Sequence, residues 1–478
     1  MMKHRPILPF FPQRFAQLAV ITYILALITV SVVFVQYAMN WYWWIFGIVG
    51  VCTFFFGANS CTKHWAMIPE QFFRKRVFWT ALFIRIPVML FLYWFFNEMT
   101  GKPFMFSAAD SEGYHDTAVW MTECIRNGNF SIYWNYQTSG GGVSDIGYPT
   151  YIGLIYLLTD DSIIAARLCK CIWSAATCVL IYNLARRNFG EQVGRMAAIF
   201  CMLEPHFIFY SGMHLKETEM LFLTVACLER TDAMMRHRDI RFGRVAGIVG
   251  LLFLTFCFRT VLGAALTFAI FLSLILSSKR VISLGKRWVV LIVFGLTAGY
   301  FVGGRVLNEV EKYWEQRTTN QSSRHSVIVK TNSLTKYATA SVFAPLIFTI
   351  PFPTMVETSG QETSRMLHSA MVVKNFMSGF CILALVLLLL DPSPGGWRNN
   401  ILIGSFLIGY LGILVFSAFA HADRFHMPAM PIEMMFVAFG VSKMNNPRYR
   451  RYLNYWTIAM YVAWVAWAWF KLHGRGLV

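Results

Sequence analysis

A dense run of polar side chains, Asp110-Ser111-Glu112-Gly113-Tyr114-His115-Asp116, lies soon after a long apolar stretch. A carboxylate there can act as a general base and take a proton from a hydroxyl. If the run is helical, Asp110, Tyr114 and Ala118 share one face at four-residue spacing, so the Tyr and Ala can pack while the acid stays at the surface. Glu112 is the competing acid, and a plain N-terminal dipole partner is the alternative role for Asp110. Lys216-Glu217, Arg365 and Arg424 with His426 lie far away in sequence, each beside an apolar run. Such cations can hold a phosphate, Arg in bidentate fashion, or they can snorkel at the end of a membrane span. A divalent metal ion is possible beside Asp110 with Glu112 or Asp116, and His421, Asp423 and His426 offer a second, weaker donor set.

These groups must be positioned by a chain whose solvent is mostly lipid. Its 478 residues are 56% hydrophobic, 17% aromatic and only 14% charged, a balance that soluble globular domains do not show. Apolar runs of roughly 17 to 25 residues recur almost to the C-terminus, and stretches such as 382–390 and 401–415 are apolar on nearly every face. This predicts an all-α polytopic membrane protein and excludes a β-barrel, whose strands would alternate. The net charge of +18 falls in short clusters between apolar runs. It therefore reads as the positive-inside signal and not as a nucleic-acid surface.

Arg74 to Arg76, Arg186-Arg187, Arg236 to Arg244, Lys279 to Arg287 and Arg448 to Arg451 are assigned to the cytoplasm. Four divisions follow: an N-terminal helical hairpin and cytoplasmic loop over 1–76, a transmembrane core over 77–302 that includes the external loop 97–146, a second external region over 303–368, and C-terminal transmembrane helices over 369–478. About thirteen spans are expected, among them 195–210, 220–227 and 289–302. The stretch 148–158 is too short to cross comfortably and would invert the charge rule, so it is expected at the interface. Ionisable groups inside the spans appear few, Lys170 and Glu204 being the exceptions. The cysteines sit mostly in apolar spans and suggest neither disulfides nor zinc. Tyr133, Trp134, Tyr136, Tyr148 and Tyr151 suit either sugar stacking or an interfacial belt. The run Gly140 to Gly142 reads as a lid or mobile loop.

The segment from Gly147 to Gly190 carries Tyr148-Pro149, Asp161-Ser162, Ala165-Ala166-Arg167-Leu168 and Leu184-Ala185-Arg186-Arg187-Asn188-Phe189-Gly190. In this order the motifs resemble the GT-C superfamily of integral membrane glycosyltransferases, in particular bacterial mannosyl- and arabinosyltransferase-like members that use polyprenyl-phosphate sugars. The resemblance continues through Pro205 to Gly212 and Lys216-Glu217, and more weakly at Arg424 to Pro428 with Pro431. It implies a GT-C-like core, external interfacial helices and a catalytic carboxylate in the first external loop, at Asp110 or Glu112. Several members have adjacent Asp-Glu where this chain has Asp110-Ser111-Glu112.

What the resemblance implies can be matched to the residues. A sugar leaving a polyprenyl phosphate needs a base for the acceptor's proton and cations for the departing phosphate. Asp110 or Glu112 would supply the first, and Lys216, Arg365 and Arg424 the second. Tyr114, His115, Tyr148, Glu217 and His426 would complete the substrate site. The expected partners are a polyprenyl-phosphate-linked sugar, a glycan, lipid or protein acceptor, and membrane lipids, with no nucleic acid. The expected location is the bacterial cytoplasmic membrane. The triplets Asn129-Phe130-Ser131 and Asn320-Gln321-Ser322 keep the endoplasmic reticulum as the alternative. A lipid-linked oligosaccharide polymerase or ligase, and then a transporter, are the competing classes.

Overall fold

The computed structural model describes residues 10–106, 109–129, 131, 143–237, 241–276, 346–390, 397–415 and 422–477. The expected span 289–302, most of the region 303–368, Tyr133, Trp134, Tyr136, the glycine run, Asn320 and His421 lie outside them.

Among the described residues the chain is helical: α1 (Gln13–Val33), α2 (Trp41–His64), α3 (Glu70–Thr100), α4 (Ala109–Arg126), α5 (Val143–Thr159), α6 (Ile163–Phe189), α7 (Glu191–Leu203), α8 (Pro205–Gly212), α9 (Glu217–His237), α10 (Phe242–Phe258), α11 (Thr260–Leu276), α12 (Glu362–Met366), α13 (His368–Leu389), α14 (Ile401–Val415), α15 (Asp423–His426), α16 (Met430–Ser442) and α17 (Pro447–His473). Five of these, α1, α2, α3, α6 and α13, are long and apolar enough to cross a membrane, and several shorter apolar helices accompany them. This is a polytopic helical bundle. Helix α6 packs against α3, α7 and α9, while α13 packs against α2, α16 and α17.

Local chemistry sets the helix ends that matter. Between α5 and α6 the backbone turns through Asp160 and Asp161, both at positive φ (53° and 59°), a region that Asp tolerates better than most residues. Ser162 then caps α6 by accepting from the Ala165 amide at 3.3 Å. Gly147 lets α5 approach α10, since a Cβ there would come within 2.8 Å of the Cys257 carbonyl.

Two expectations are corrected. The span 195–210 is not one helix: it breaks at Glu204-Pro205, where Pro205 opens α8 and cannot donate to the preceding turn. The break leaves the last carbonyls of α7 unpaired. Arg85 on α3 reaches across to them, donating to Met202 O and Cys201 O at 3.2 Å each and to Ser174 Oγ at 2.7 Å. Ionisable groups within the helices are also more numerous than Lys170 and Glu204, because Arg85, Lys374 and Glu433 are buried there too. Lys374 answers a similar need. The non-helical segment Thr349–Met355 is buried inside the bundle, where bare carbonyls require partners. Lys374 donates to Ile350 O at 2.5 Å, and Asn375 donates to Thr349 O and to Pro351 O, the latter at 3.1 Å. The described end of the second polar region is thus packed into the bundle.

The described basic clusters gather at one end, Lys279 to Arg287 lying outside the described residues. Arg186 pairs with Glu70, Arg187 with Glu229 and Asp232, and Arg236 donates to Asn399 O. Asp110, Glu217 and Arg424 gather at the other.

Candidate active site

Helix α4 carries the acidic run as the four-residue spacing requires. Asp110 sits in its first turn, half-exposed; Tyr114 packs onto the bundle, and Ala118 is buried. Asp110 accepts from Arg424 on α15, 314 positions later in the chain, in a charge-assisted ion pair. Glu112 points elsewhere and meets the exposed Lys102 at 3.4 Å. The two acids that sequence left in competition therefore occupy different surroundings.

Three contacts hold α15 in place. The Tyr210 hydroxyl donates to Asp423 at 3.0 Å, the Tyr410 hydroxyl donates to Phe425 O at 2.9 Å, and His426 Nδ1 lies 2.9 Å from Lys374 Nζ. Burial raises the Asp423 carboxyl above its ordinary range, against the opposing pull of Tyr210 and the Arg424 amide. Burial alone would lower the Arg424 guanidinium, but the carboxylates of Glu217 and Asp110 raise it further, so it stays charged. Arg424 is thus a fixed cation among acids.

Behind Asp110 lies a polar and aromatic floor. Lys216 stands over the Tyr114 ring, 5.5 Å from its centroid, and Tyr114 meets Tyr148 edge-on at 5.1 Å. Tyr148 receives the Lys170 ammonium at 3.4 Å, and Lys170 pairs with Glu219 at 3.2 Å in a buried ion pair that also uses Leu215 O. His115 Nδ1 lies 2.8 Å from the Tyr156 hydroxyl. His214 sits between Phe104, His115 and Tyr148, and among the described residues neither of its ring nitrogens has a hydrogen-bond partner. Burial pushes its imidazole well below the ordinary range, with Arg167, Lys170 and His115 adding to the shift. One oxygen each of the buried Glu217 and Glu219 also has no partner.

An apolar groove of about 650 Å³ opens beside this floor between α5, α6, α9 and α10, lined by Tyr151, Trp173, Glu219, Phe222 and Phe258 among others. Trp173 fixes Tyr151 by donating to its hydroxyl at 2.8 Å. Phe258 touches both Tyr148 and Tyr151, which joins the groove to the floor.

Two expected site residues are not brought to this cluster. Arg365 is buried and committed to Thr358 O at 2.5 Å, Glu357 at 2.9 Å and Glu362 at 3.1 Å. His426 is fully buried and turned toward Lys374, on the far side of α15 from the Asp110 contact. Conversely, Lys170, His214, Glu219 and Asp423 join the site without having been placed in it. The signal for Lys170 was its charge inside an apolar span. His214 and Glu219 carried no comparable signal, since a single His or Glu in a turn is usually a solvated residue.

A divalent ion beside Asp110 would need several oxygen donors. Asp110 faces Arg424, Glu112 faces Lys102, and among the described residues no three His, Cys, Asp or Glu side chains converge. The donor set suits a guanidinium, and no step is assigned to a metal.

The fold and site together define a membrane-embedded helical protein with an acid–cation cluster at one end and an apolar groove leading from it. Residues 146–300 match the family model described as dolichyl-phosphate-mannose-protein mannosyltransferase. The match covers less than half of the chain and links it broadly to membrane transferases that use polyprenyl-phosphate sugars. Tyr148, Lys170, His214, Lys216, Glu217 and Glu219 fall inside it, whereas Asp110 and Arg424 fall outside. No curated protein and no solved structure matches the chain.

Proposed function

We propose that the protein is an inverting membrane glycosyltransferase of the GT-C type, moving a sugar from a polyprenyl-phosphate donor to an acceptor on the external face. The observation that carries the reading is the meeting of Asp110 and Arg424 beside Lys216 and an apolar groove. A carboxylate, two cations and a channel for a lipid chain lie together at one end of a membrane bundle. The partial family match supports the same donor class.

In this reading the prenyl chain lies in the groove along Trp173, Phe222 and Phe258. Its phosphate is held by Arg424 and Lys216, with Lys170 close behind. Asp110 takes the acceptor's proton as the acceptor oxygen attacks the anomeric carbon and the phosphate departs with the bonding electrons. Arg424 would exchange its carboxylate partner for the donor phosphate, which frees Asp110 to act as base. Glu112, paired with Lys102 at the rim, is assigned no proton transfer.

The test is transfer of a labelled sugar from a synthetic polyprenyl-phosphate donor by the detergent-purified protein, with glycan, lipid and peptide acceptors supplied separately. Product should form with one acceptor class, disappear in Asp110→Asn and persist in Glu112→Gln. Equal transfer by wild type and both variants would remove carboxylate catalysis. No transfer to any acceptor, together with no donor binding, would remove the reading itself.

A further inference from the structure

At the end of the bundle away from Asp110, a second groove of about 540 Å³ is cut between α3, α6, α9 and α10. Its wall is apolar, formed by Phe78, Trp79, Leu180, Phe222 and Leu251, and its mouth is cationic, formed by Arg74, Lys75 and Arg230. A smaller pocket of about 330 Å³, lined by Arg230, His237 and Arg244 among others, continues the basic rim. Helix α3 runs from Glu70 to Thr100, a rise of about 46 Å at 1.5 Å per residue, enough to separate the two ends by a full bilayer. The groove therefore opens at the opposite membrane face from the candidate active site.

Charge at the mouth is out of balance. Glu70 is shared between Arg74 and Arg186, and Glu229 between Arg187 and Arg230. Lys75 and Arg76 add further positive charge, Asp232 is already occupied by Arg187 and Arg236, and Glu191 by Arg186 and Arg195. An apolar wall at acyl-chain depth with a surplus of cations at headgroup depth is complementary to one kind of molecule, a lipid whose phosphate carries uncompensated negative charge.

We propose that this groove is a specific site for an anionic glycerophospholipid of the leaflet opposite Asp110, its phosphate between Arg74, Lys75 and Arg230 and one acyl chain along Trp79, Leu180 and Phe222. The site does not depend on the glycosyltransferase reading. Phe222 and Leu251 also line the groove near Glu219, so a lipid seated here forms the far wall of that groove and supports α9 and α10 from the membrane side.

The test measures lipid retained by the full chain after delipidation and exchange into mixed micelles, by native mass spectrometry. The lipids are phosphatidylglycerol and phosphatidylcholine of matched chains, with inorganic phosphate as a third arm in a thermal-shift measurement. Wild type should prefer phosphatidylglycerol. Lys75→Gln with Arg230→Gln, both exposed and unneeded for folding, should lower that preference by roughly fivefold for each cation removed. Arg448→Gln with Arg451→Gln removes equal charge elsewhere and should leave the preference intact. Equal retention of the two lipids, an unchanged preference in the Lys75/Arg230 variant, or an equal loss in the Arg448/Arg451 variant would each overturn the site. Stabilisation by inorganic phosphate equal to that by phosphatidylglycerol would assign the cations to a free anion and overturn the lipid.

Discussion

The two ends of this bundle are both rich in charge, but the charges are spent differently. At the basic end, Arg187 gives Nε to Asp232 and Nη1 to Glu229, each at 2.8 Å, and its third nitrogen to Glu229 O at 2.9 Å. Asp232 also accepts from Arg236 at 2.9 Å and Asn188 at 3.3 Å. Most donors and acceptors there satisfy one another, tying α6 to α9, although Glu229 Oε2 has no hydrogen-bond partner among the described residues and meets only Arg230 Nε at 3.6 Å. At the other end the Asp110–Arg424 pair is partly exposed, and behind it both nitrogens of His214 and one oxygen each of Glu217 and Glu219 lack partners among the described residues. An unsatisfied buried polar atom costs about 1–3 kcal/mol. The first network is mostly closed on itself; the second holds more buried polar atoms without partners among the described residues, as the proposed donor site requires.

The sharpest way to break this comparison is to remove one carboxylate from each end. Asp110→Asn should lower turnover by roughly two to four orders of magnitude while the thermal midpoint in detergent holds, because the amide still accepts from Arg424. Asp232→Asn should do the reverse. If Asp232→Asn abolished transfer in a fully folded protein, the basic end would have to be counted as part of the site.

A cation removed from each end gives smaller effects. Arg187→Met removes the cation shared by Glu229 and Asp232, both largely buried, but leaves Asp232 its contacts with Arg236 and Asn188, and should cost roughly 3 kcal/mol of stability, the lower end for a broken buried pair. Denaturant or thermal unfolding measures it. Lys216→Met and Arg424→Met should leave stability nearly unchanged and instead weaken donor binding by about 1–3 kcal/mol each. Donor affinity unchanged in both variants would separate these cations from the phosphate.

How much of this could be read from sequence depends on how local the cause is. That Asp110, Tyr114 and Ala118 share a face followed from spacing once the run is helical, and the helical membrane architecture followed from composition. Asp161-Ser162 stood out only through the family resemblance, and its cap on α6 was not read at all. The break at Glu204-Pro205 was written in the proline, but the apolar run around it looked continuous, and the compensation by Arg85 comes from more than a hundred residues away. Arg365 and His426 resembled ligands because their types fit. Their actual partners, Glu357 with Glu362 and Lys374, are set by how α12 and α15 pack. The Lys170–Glu219 pair and the unpartnered His214 come from tertiary closeness that no spacing encodes.

The smallest expected effect concerns acid. His115 is half-buried on α4, with Tyr156 at 2.8 Å from Nδ1 and the rings of Phe104 and His214 against it. Burial lowers its pKa below 6.5, and the nearby Asp116 and Asp161 pull upward without reversing the shift. The folded protein therefore resists a proton that the unfolded chain accepts. Stability from this group is complete above pH 6.5 and falls as the pH drops below that value. His214, more deeply buried and shifted the same way, adds to the decline. His115→Phe keeps an aromatic ring and removes only the first contribution. Its thermal midpoint should fall less than that of wild type between pH 7.5 and 5.5, by on the order of 1 °C given the partial exposure. Equal declines would mean that His115 is solvated in the folded protein. A wild-type midpoint that rose on acidification would mean that the imidazolium finds Asp116 or Asp161 as a true partner, and the acidic run would then carry a salt bridge at the lip of the site.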